Sequence, residues 1–291
     1  VSEDVAWGPL GRAVWERTYK RPEDETWLDT VTRCVNGNLS FAFDDAEEPP
    51  GERDRLVDLF SNFYATPAGR HLWASGAAGS DFVHNCWIAP DSDSDPSFHF
   101  VFTFMRLMEG GGVGANYSAV VRSRAPVPRK QHVRVLMRHD DHPDSFLISD
   151  SREGWAEALR MVLMAKGDLD LSLASIRPKG TPLRRFGGTA SGPEPLVTML
   201  HRVNSLCNRV GHRPFSALEA MELDHYISEC VIAGNVRRSA RMSILNWDDP
   251  EIEDFLVCKR DPLKHWSTNI SVGYDGEAPF DLIGRVLDEA C

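Results

Sequence analysis

Residues 169–210 read LDLSLASIRPKGTPLRRFGGTASGPEPLVTMLHRVNSLCNRV. Leu169–Ile176 is a short apolar run of the kind a buried strand needs, Arg177–Pro193 is a loop, and from Glu194 apolar residues recur at helical spacing. The loop holds Arg177, Lys179, Arg184 and Arg185 among four glycines and no carboxylate. Glycine lets backbone amides approach a ligand, arginine offers a forked donor, and a helix start adds a positive dipole end. That combination suits a phosphorylated ligand; the plainer alternative is a solvated strand-to-helix connection. One charge-assisted contact contributes about 1.5–3 kcal/mol and micromolar binding needs about 8 kcal/mol, so several donors must converge.

Outward from this unit, strand-like runs alternate with helical patterns. The remaining strand candidates are His84–Ala89, Gly112–Ser118, Val133–Met137, Ala240–Asn246 and Asn269–Tyr274. Between them, Trp155, Ala158, Leu159 and Val162 share a helix face ahead of Gly167, a natural C-terminal stop. Ser216 and Glu219 form a capping box before the face of Leu223, Ile227 and Val231. This alternation predicts an α/β architecture with mostly parallel strands. Residues 1–65 read as a helical region, broken at Pro22 and around residues 47–51, and 66–291 as the α/β part. Within the latter, 119–150 is more polar and reads as an insertion or hairpin.

The chain has 291 residues and a formal net charge of -11, which argues against duplex DNA as a partner because that binding rests on an excess of Lys and Arg. It has no apolar run that would span a membrane and no signal pattern at its start. Six cysteines with no CxxC pair, and no secretory signal, point to reduced thiols in the cytoplasm. The first residue is valine, so a trimmed start is expected. Phe280, Leu282, Ile283, Val286 and Leu287 form an amphipathic pattern that runs uncapped to Cys291, as in a chain that continues. DSDSDP (91–96) imitates a calcium loop but has Pro96 where glycine is required and Phe102 where the bidentate Glu belongs. No spacing of His and Cys marks a metal site.

EGGGVGANYS (109–118) is neither a dinucleotide nor a Walker loop. It reads either as a helix-ending glycine turn or as bare backbone beside a ligand, with Gly111 and Gly112 the candidates. AGNVRRSAR (233–241) places Arg237, Arg238 and Arg241 either as solvated cations at a helix C-terminus or as phosphate donors. Cys86, in HNCWIAP, reads by itself as a small buried hydrophobe.

Eight segments taken in order, WGPLGRAVWERTYKR (7–21), ATPAGRHLWASG (65–76), NCWIAP (85–90), LMEGGGVGANYS (107–118), SREGW (151–155), RPKGTPLRRFGGTASGPEPL (177–196), VIAGNVRRSA (231–240) and HWSTNISV (265–272), resemble the class II ribonucleotide reductases. The similarity is to the monomeric, adenosylcobalamin-dependent ribonucleoside-triphosphate reductases in particular. The resemblance implies a ten-stranded α/β barrel of two half-barrels behind a helical region. This chain would supply the helices and roughly the first half-barrel.

It also implies roles. Cys86 resembles the first redox thiol, which with a partner cysteine reduces the substrate and is re-reduced by thioredoxin. Thr66 and Asn85 resemble substrate contacts, joined by Gly111 and Gly112. Asp93, Arg177, Lys179 and Arg185 resemble the site for a deoxynucleoside triphosphate effector. Gly234, Asn235, Arg237 and Arg238 resemble the loop that relays effector identity to the substrate. The radical cysteine, the partner thiol and most of the cobalamin surface belong to the second half-barrel, so the isolated segment is expected to be inactive. Two alternatives stay open: a reductase whose radical comes from a partner metalloprotein, and a non-catalytic nucleotide-sensing module.

Overall fold

Pro9 opens the first helix where its missing N–H costs nothing. The computed structural model describes residues 8–43, 47–77, 83–90, 92–118, 125–137, 143–182, 189–233, 240–261, 265–274 and 276–290. The chain divides into two units, one running to His84 and one from Asn85.

In the first unit, α1 (Pro9–Val14) runs into a π-helical turn (Trp15–Tyr19), followed by α2 (Trp27–Phe43), α3 (Glu52–Ser61) and α4 (Gly69–Ala74). Trp15, Trp27, Val31, Cys34, Val35, Leu39 and Leu72 form its core. The indole of Trp15 meets Trp27 edge-on at 6.3 Å and donates to Thr30 Oγ1 at 3.0 Å. Thr30 in turn donates to Asp24 Oδ2 at 2.8 Å. Arg33 grips both oxygens of Asp24, at 3.0 and 2.8 Å, and donates to the carbonyls of Leu72 and Ser75. These bonds, and Leu72 in the core, build α4 into the helical unit, which therefore extends past residue 65.

The second unit carries β1 (Cys86–Ile88), β2 (Gly112–Asn116), β3 (Val133–Leu136), β4 (Phe146–Leu147), β5 (Leu169–Ser172), β6 (Ala240–Asn246) and β7 (Thr268–Gly273). Its helices are α5 (Phe98–Met108), α6 (Arg152–Met164), α7 (Glu194–Val210), α8 (Ala217–Ala233), α9 (Ile252–Val257) and α10 (Phe280–Ala290). One sheet has the order β1-β2-β6-β7 and the other β3-β5-β4, with every ladder parallel. The α/β class with parallel strands is as the sequence predicts. β3 and β4 flank β5 and do not pair with each other, so the described residues of 119–150 form no hairpin. Parallel neighbours need a crossover, and α6 supplies the one from β4 to β5.

Locally encoded features match their sequence signals. The capping box is closed by Ser216 N donating to Glu219 Oε2 at 2.9 Å and Glu219 N to Ser216 Oγ at 3.3 Å. α6, however, stops at Met164 with Ala165 as an extended C-cap, and Gly167, whose φ is not left-handed, is not the stop that the sequence suggests. β5 is shorter than the apolar run because a turn closes behind it, Ile176 N donating to Leu173 O at 3.0 Å. β4, two residues long, has no periodicity to read. Among the described residues no helix is long and apolar enough to cross a membrane.

Burial works against the charge of Asp24, but hydrogen bonds from Arg33, the Arg21 N–H and Thr30 outweigh it and hold the carboxyl below its ordinary range. A depressed folded pKa contributes stability that is complete above about pH 4 and is lost as pH falls through the folded value. Thermal melts should show wild type exceeding Asp24→Asn at about pH 6, with the gap narrowing toward about pH 3. A gap independent of pH would contradict this.

Candidate functional site

The first sheet has a covered face and an open one. Side chains alternate along each strand, so Trp87, Val113, Ala115, Arg241, Ser243 and Leu245 point one way, where α5 and α8 pack. Cys86, Ile88, Gly112, Gly114, Ala240 and Met242 point the other way. Parallel sheets are normally covered on both sides, yet here Ile88 is 74% and Met242 43% exposed among the described residues. Cys86 lies on this open face, exposed, in one register row with Gly112 and Ala240. Asn85 precedes it, its carbonyl accepting Gly112 N at 2.5 Å.

The glycines after α5 serve different ends. Gly110 has φ +74°, the left-handed region. A Cβ on Gly111 would lie 2.9 Å from Trp87 Cδ1 and 3.0 Å from the Arg106 carbonyl, so close approach demands glycine. Gly112 and Gly114 differ. Their φ values are not left-handed, and a Cβ would meet only ordinary contacts, at 3.5 Å from Ala240 Cβ and 3.7 Å from Trp87 O respectively. Glycine weakens a strand interior by about 0.5–1 kcal/mol relative to alanine. What its presence leaves is room beside the Cys86 thiol.

Beneath this turn, the Arg106 guanidinium lies 4.8 Å over the Trp87 ring, and Arg106 Nη1 meets the buried Glu109 at 2.6 Å. Arg152, at the start of α6, reaches the other Glu109 oxygen at 3.3 Å. On the covered face, the Tyr117 hydroxyl donates to Asp224 Oδ2 at 2.5 Å and accepts from Arg241 Nη2 at 2.9 Å, with His99 Nε2 3.4 Å from the same carboxylate oxygen. Burial, and next the Asp224 charge, push the Tyr117 phenol far up.

In the second sheet, the loops after β4 and β5 lie side by side at the carboxyl ends of parallel strands, where ligands of α/β sheets bind. Arg177 Nε donates to Asp150 Oδ2 at 2.5 Å. Its two terminal nitrogens have no hydrogen-bond partner among the described residues. The neck of the basic loop is closed by Gly180 N to Ala190 O and Ala190 N to Thr181 O, at 2.9 and 2.8 Å. A separate cavity of about 410 Å³ is lined by Ser92, Asp93, Arg129, Leu163, Met164 and Lys166, among others.

Comparison with known proteins gives this geometry a context. The profile of the ribonucleotide reductase alpha domain matches residues 2–77, and that of the B12-dependent ribonucleotide reductase insertion domain matches 115–207. A crystal structure of a B12-dependent (class II) ribonucleotide reductase superposes with a TM-score of 0.78 at 30% identity, over 94% of this chain and 47% of that one. The chain belongs to the class II ribonucleotide reductases. A putative adenosylcobalamin-dependent ribonucleoside-triphosphate reductase of Mycobacterium phage D29 is 42% identical over 94% of this chain and 45% of its own length. The adenosylcobalamin-dependent ribonucleoside-triphosphate reductase of Lactobacillus leichmannii is 32% identical over 92% of this chain and 45% of its own. The chain thus spans about half the length of the curated relatives it matches.

Of the residues expected from the sequence, Asn85, Cys86, Gly111 and Gly112 come together where β1 and β2 begin. Thr66 is an exposed loop residue of the first unit. Asp93 lines the cavity at the C-terminal end of α6, while Arg177 pairs with Asp150 just before its N-terminal end. Those 13 helical residues span about 20 Å, so the described structure does not bring Asp93 and Arg177 together. Lys179 is exposed near the loop neck. Arg185, Gly234, Asn235, Arg237 and Arg238 lie outside the described residues. Arg241 is no solvated cation: it is 5% exposed, because it falls on the helix-facing side of β6. Asp150, Tyr117, Asp224 and Arg152 went unread, since pairings between residues so far apart in sequence leave no local signal.

Cys86 also differs from the buried plain-packing thiol that its isolated position suggests. It is exposed, whereas burial pushes the thiols of Cys34 and Cys258 up to about 11 and that of Cys207 up to about 12, and raises Cys230 as well. Reactivity follows exposure and thiolate content. Alkylation of the native protein at about pH 8, read by peptide mass spectrometry, should modify Cys86 well before these four; earlier modification of any of them would contradict this placement.

Proposed function

We propose that this chain forms the amino-terminal part of a cytoplasmic reductase that converts ribonucleoside triphosphates to 2′-deoxyribonucleoside triphosphates, with the second unit furnishing the first half of its barrel. The observation that carries the reading is the exposed Cys86 thiol beside a strand whose open face is bare at Gly112 and Gly114. Gly112 and Gly114 let a sugar lie against backbone next to the sulfur, and Asn85, the exposed residue before Cys86, is a further substrate contact. Arg177, Lys179 and Arg185 hold the phosphates of a deoxynucleoside triphosphate effector. Asp93, at the other end of α6, takes the sugar or base end of the effector, and the segment containing Gly234, Asn235, Arg237 and Arg238 relays occupancy to the substrate.

Replacing the ribose 2′ C–OH by C–H consumes two electrons and two protons and releases water. Two thiols becoming a disulfide supply both, and Cys86 is one of them. Its partner comes from the remainder of the protein, and thioredoxin restores the pair. Adenosylcobalamin, when bound, supplies the radical that starts the reaction. On the open face Ile88 and Met242 leave apolar surface exposed, and most of the surface that would hold the cofactor belongs to the remainder of the protein. No group of three His, Cys, Asp or Glu among the described residues is placed to hold a bare metal ion, and cobalamin brings its cobalt in its own macrocycle.

In the full-length protein, Cys86→Ser should abolish deoxynucleotide formation driven by thioredoxin. Retained turnover would point instead to a nucleotide-sensing module. Gly114→Ala should keep or slightly raise the melting temperature, as expected for a strand alanine, while weakening substrate nucleotide binding about tenfold. Unchanged binding would remove the glycine strand from the site. These 291 residues alone, given adenosylcobalamin and a dithiol, should form no deoxynucleotide.

A further inference from the structure

Three consecutive residues, Asp150, Ser151 and Arg152, touch both parts of the proposed site. Asp150 accepts Arg177 Nε at 2.5 Å. Two residues on, Arg152 Nη1 lies 3.3 Å from Glu109 Oε1. Glu109 is 6% exposed, also takes Arg106 Nη1 at 2.6 Å, and leads directly into Gly110–Gly112. Arg106 in turn covers Trp87, the neighbour of Cys86 on β1. The path from the basic loop to the glycine floor is therefore contiguous through side-chain ion pairs and one short piece of backbone.

That backbone is held firmly. Ile148 N donates to Ser172 O at 2.8 Å, and Ser175 Oγ donates to the Ile148 carbonyl. Ser151 caps α6 by accepting Gly154 N at 3.0 Å. A Cβ on Gly154 would stand 2.3 Å from Ser149 Oγ and 2.4 Å from Ser149 O, so the chain crosses itself there at the closest approach glycine permits. A rigid element with an ion pair at either end passes a displacement on instead of absorbing it.

We propose that Asp150–Arg152 is a strut that couples deoxynucleotide occupancy at Arg177 to substrate affinity at the Gly110–Gly112 turn, with Arg152 as a positioning residue for that turn. It rests on the effector reading of Arg177, and it is a route separate from the segment at 234–240. A phosphate bound by the free terminal fork of Arg177 shares the guanidinium with Asp150. The altered pull on Asp150 bears on the cap of α6 and, through Arg152, on Glu109. Because coupling between two binding sites is reciprocal, substrate at the turn must strengthen deoxynucleotide binding by the same factor.

The test uses the full-length protein and calorimetric titration of a deoxynucleoside triphosphate and a ribonucleoside triphosphate, each with and without the other. In wild type each tightens the other by a factor that for such couplings is about 5 to 150. Arg152→Ala should leave the fold and the affinity for deoxynucleotide alone unchanged, and cut the mutual factor several-fold, to what the segment at 234–240 transmits by itself. Arg152→Lys, which restores the charge without the fork, should fall between, and it decides the matter where the alanine variant does not fold. A full mutual factor in both Arg152 variants overturns the strut. Arg177→Ala with undiminished deoxynucleotide binding would instead overturn the effector reading beneath it, and the two failures are distinct.

Discussion

The open face of the first sheet depends on one constraint: the strand at its centre carries no side chain where it passes the thiol. β2 is flanked by β1 and β6 in parallel register, so Cys86, Gly112 and Ala240 lie in line across it. Larger side chains at 112 or 114 would fill the space above the sheet without helping the space below. Gly110, Gly111 and Gly112, the last of which opens β2, thus divide the work between backbone conformation, contact with an indole, and vacancy.

The opposite face is held by charge. Asp224 and Arg241 are almost fully buried, and Tyr117 bridges them with one bond to each. Breaking such a pair by removing one partner is far more damaging than its net contribution suggests, because an uncompensated charge is left in the interior. The bridge joins the end of β2, the start of β6 and the middle of α8, and it therefore fixes which strands are neighbours. Glu109 plays a comparable part at the edge, taking one arginine from α5 and another from α6.

How much of this was legible follows the distance over which each feature is encoded. The capping box of Ser216 and Glu219, the strand Ala240–Asn246 and the helix from Glu194 depend on near neighbours, and their sequence signals suffice. The charge on the basic loop was legible, but its counter-ion was not: Asp150 is 27 residues away from Arg177. The exposure of Cys86 was equally hidden, since a three-residue strand looks the same whether one side or both are covered. Arg241 was misread because the arginines beside it in sequence suggest a solvated cluster, while strand alternation turns it inward.

The order of strands has a kinetic consequence. Gly112 pairs with Ala240, and between them the chain passes through the whole second sheet and two long helices. Contacts between such distant segments close late, after the loop entropy of everything between has been overcome. Until then β2, glycine-rich and unpaired on that side, has nothing to hold its edge. The intervening region can assemble by shorter-range steps, from β3 through α7, and in doing so brings α8 and β6 within reach. The insertion is thereby a scaffold for maturation: its collapse shortens the effective tether that the first sheet must close.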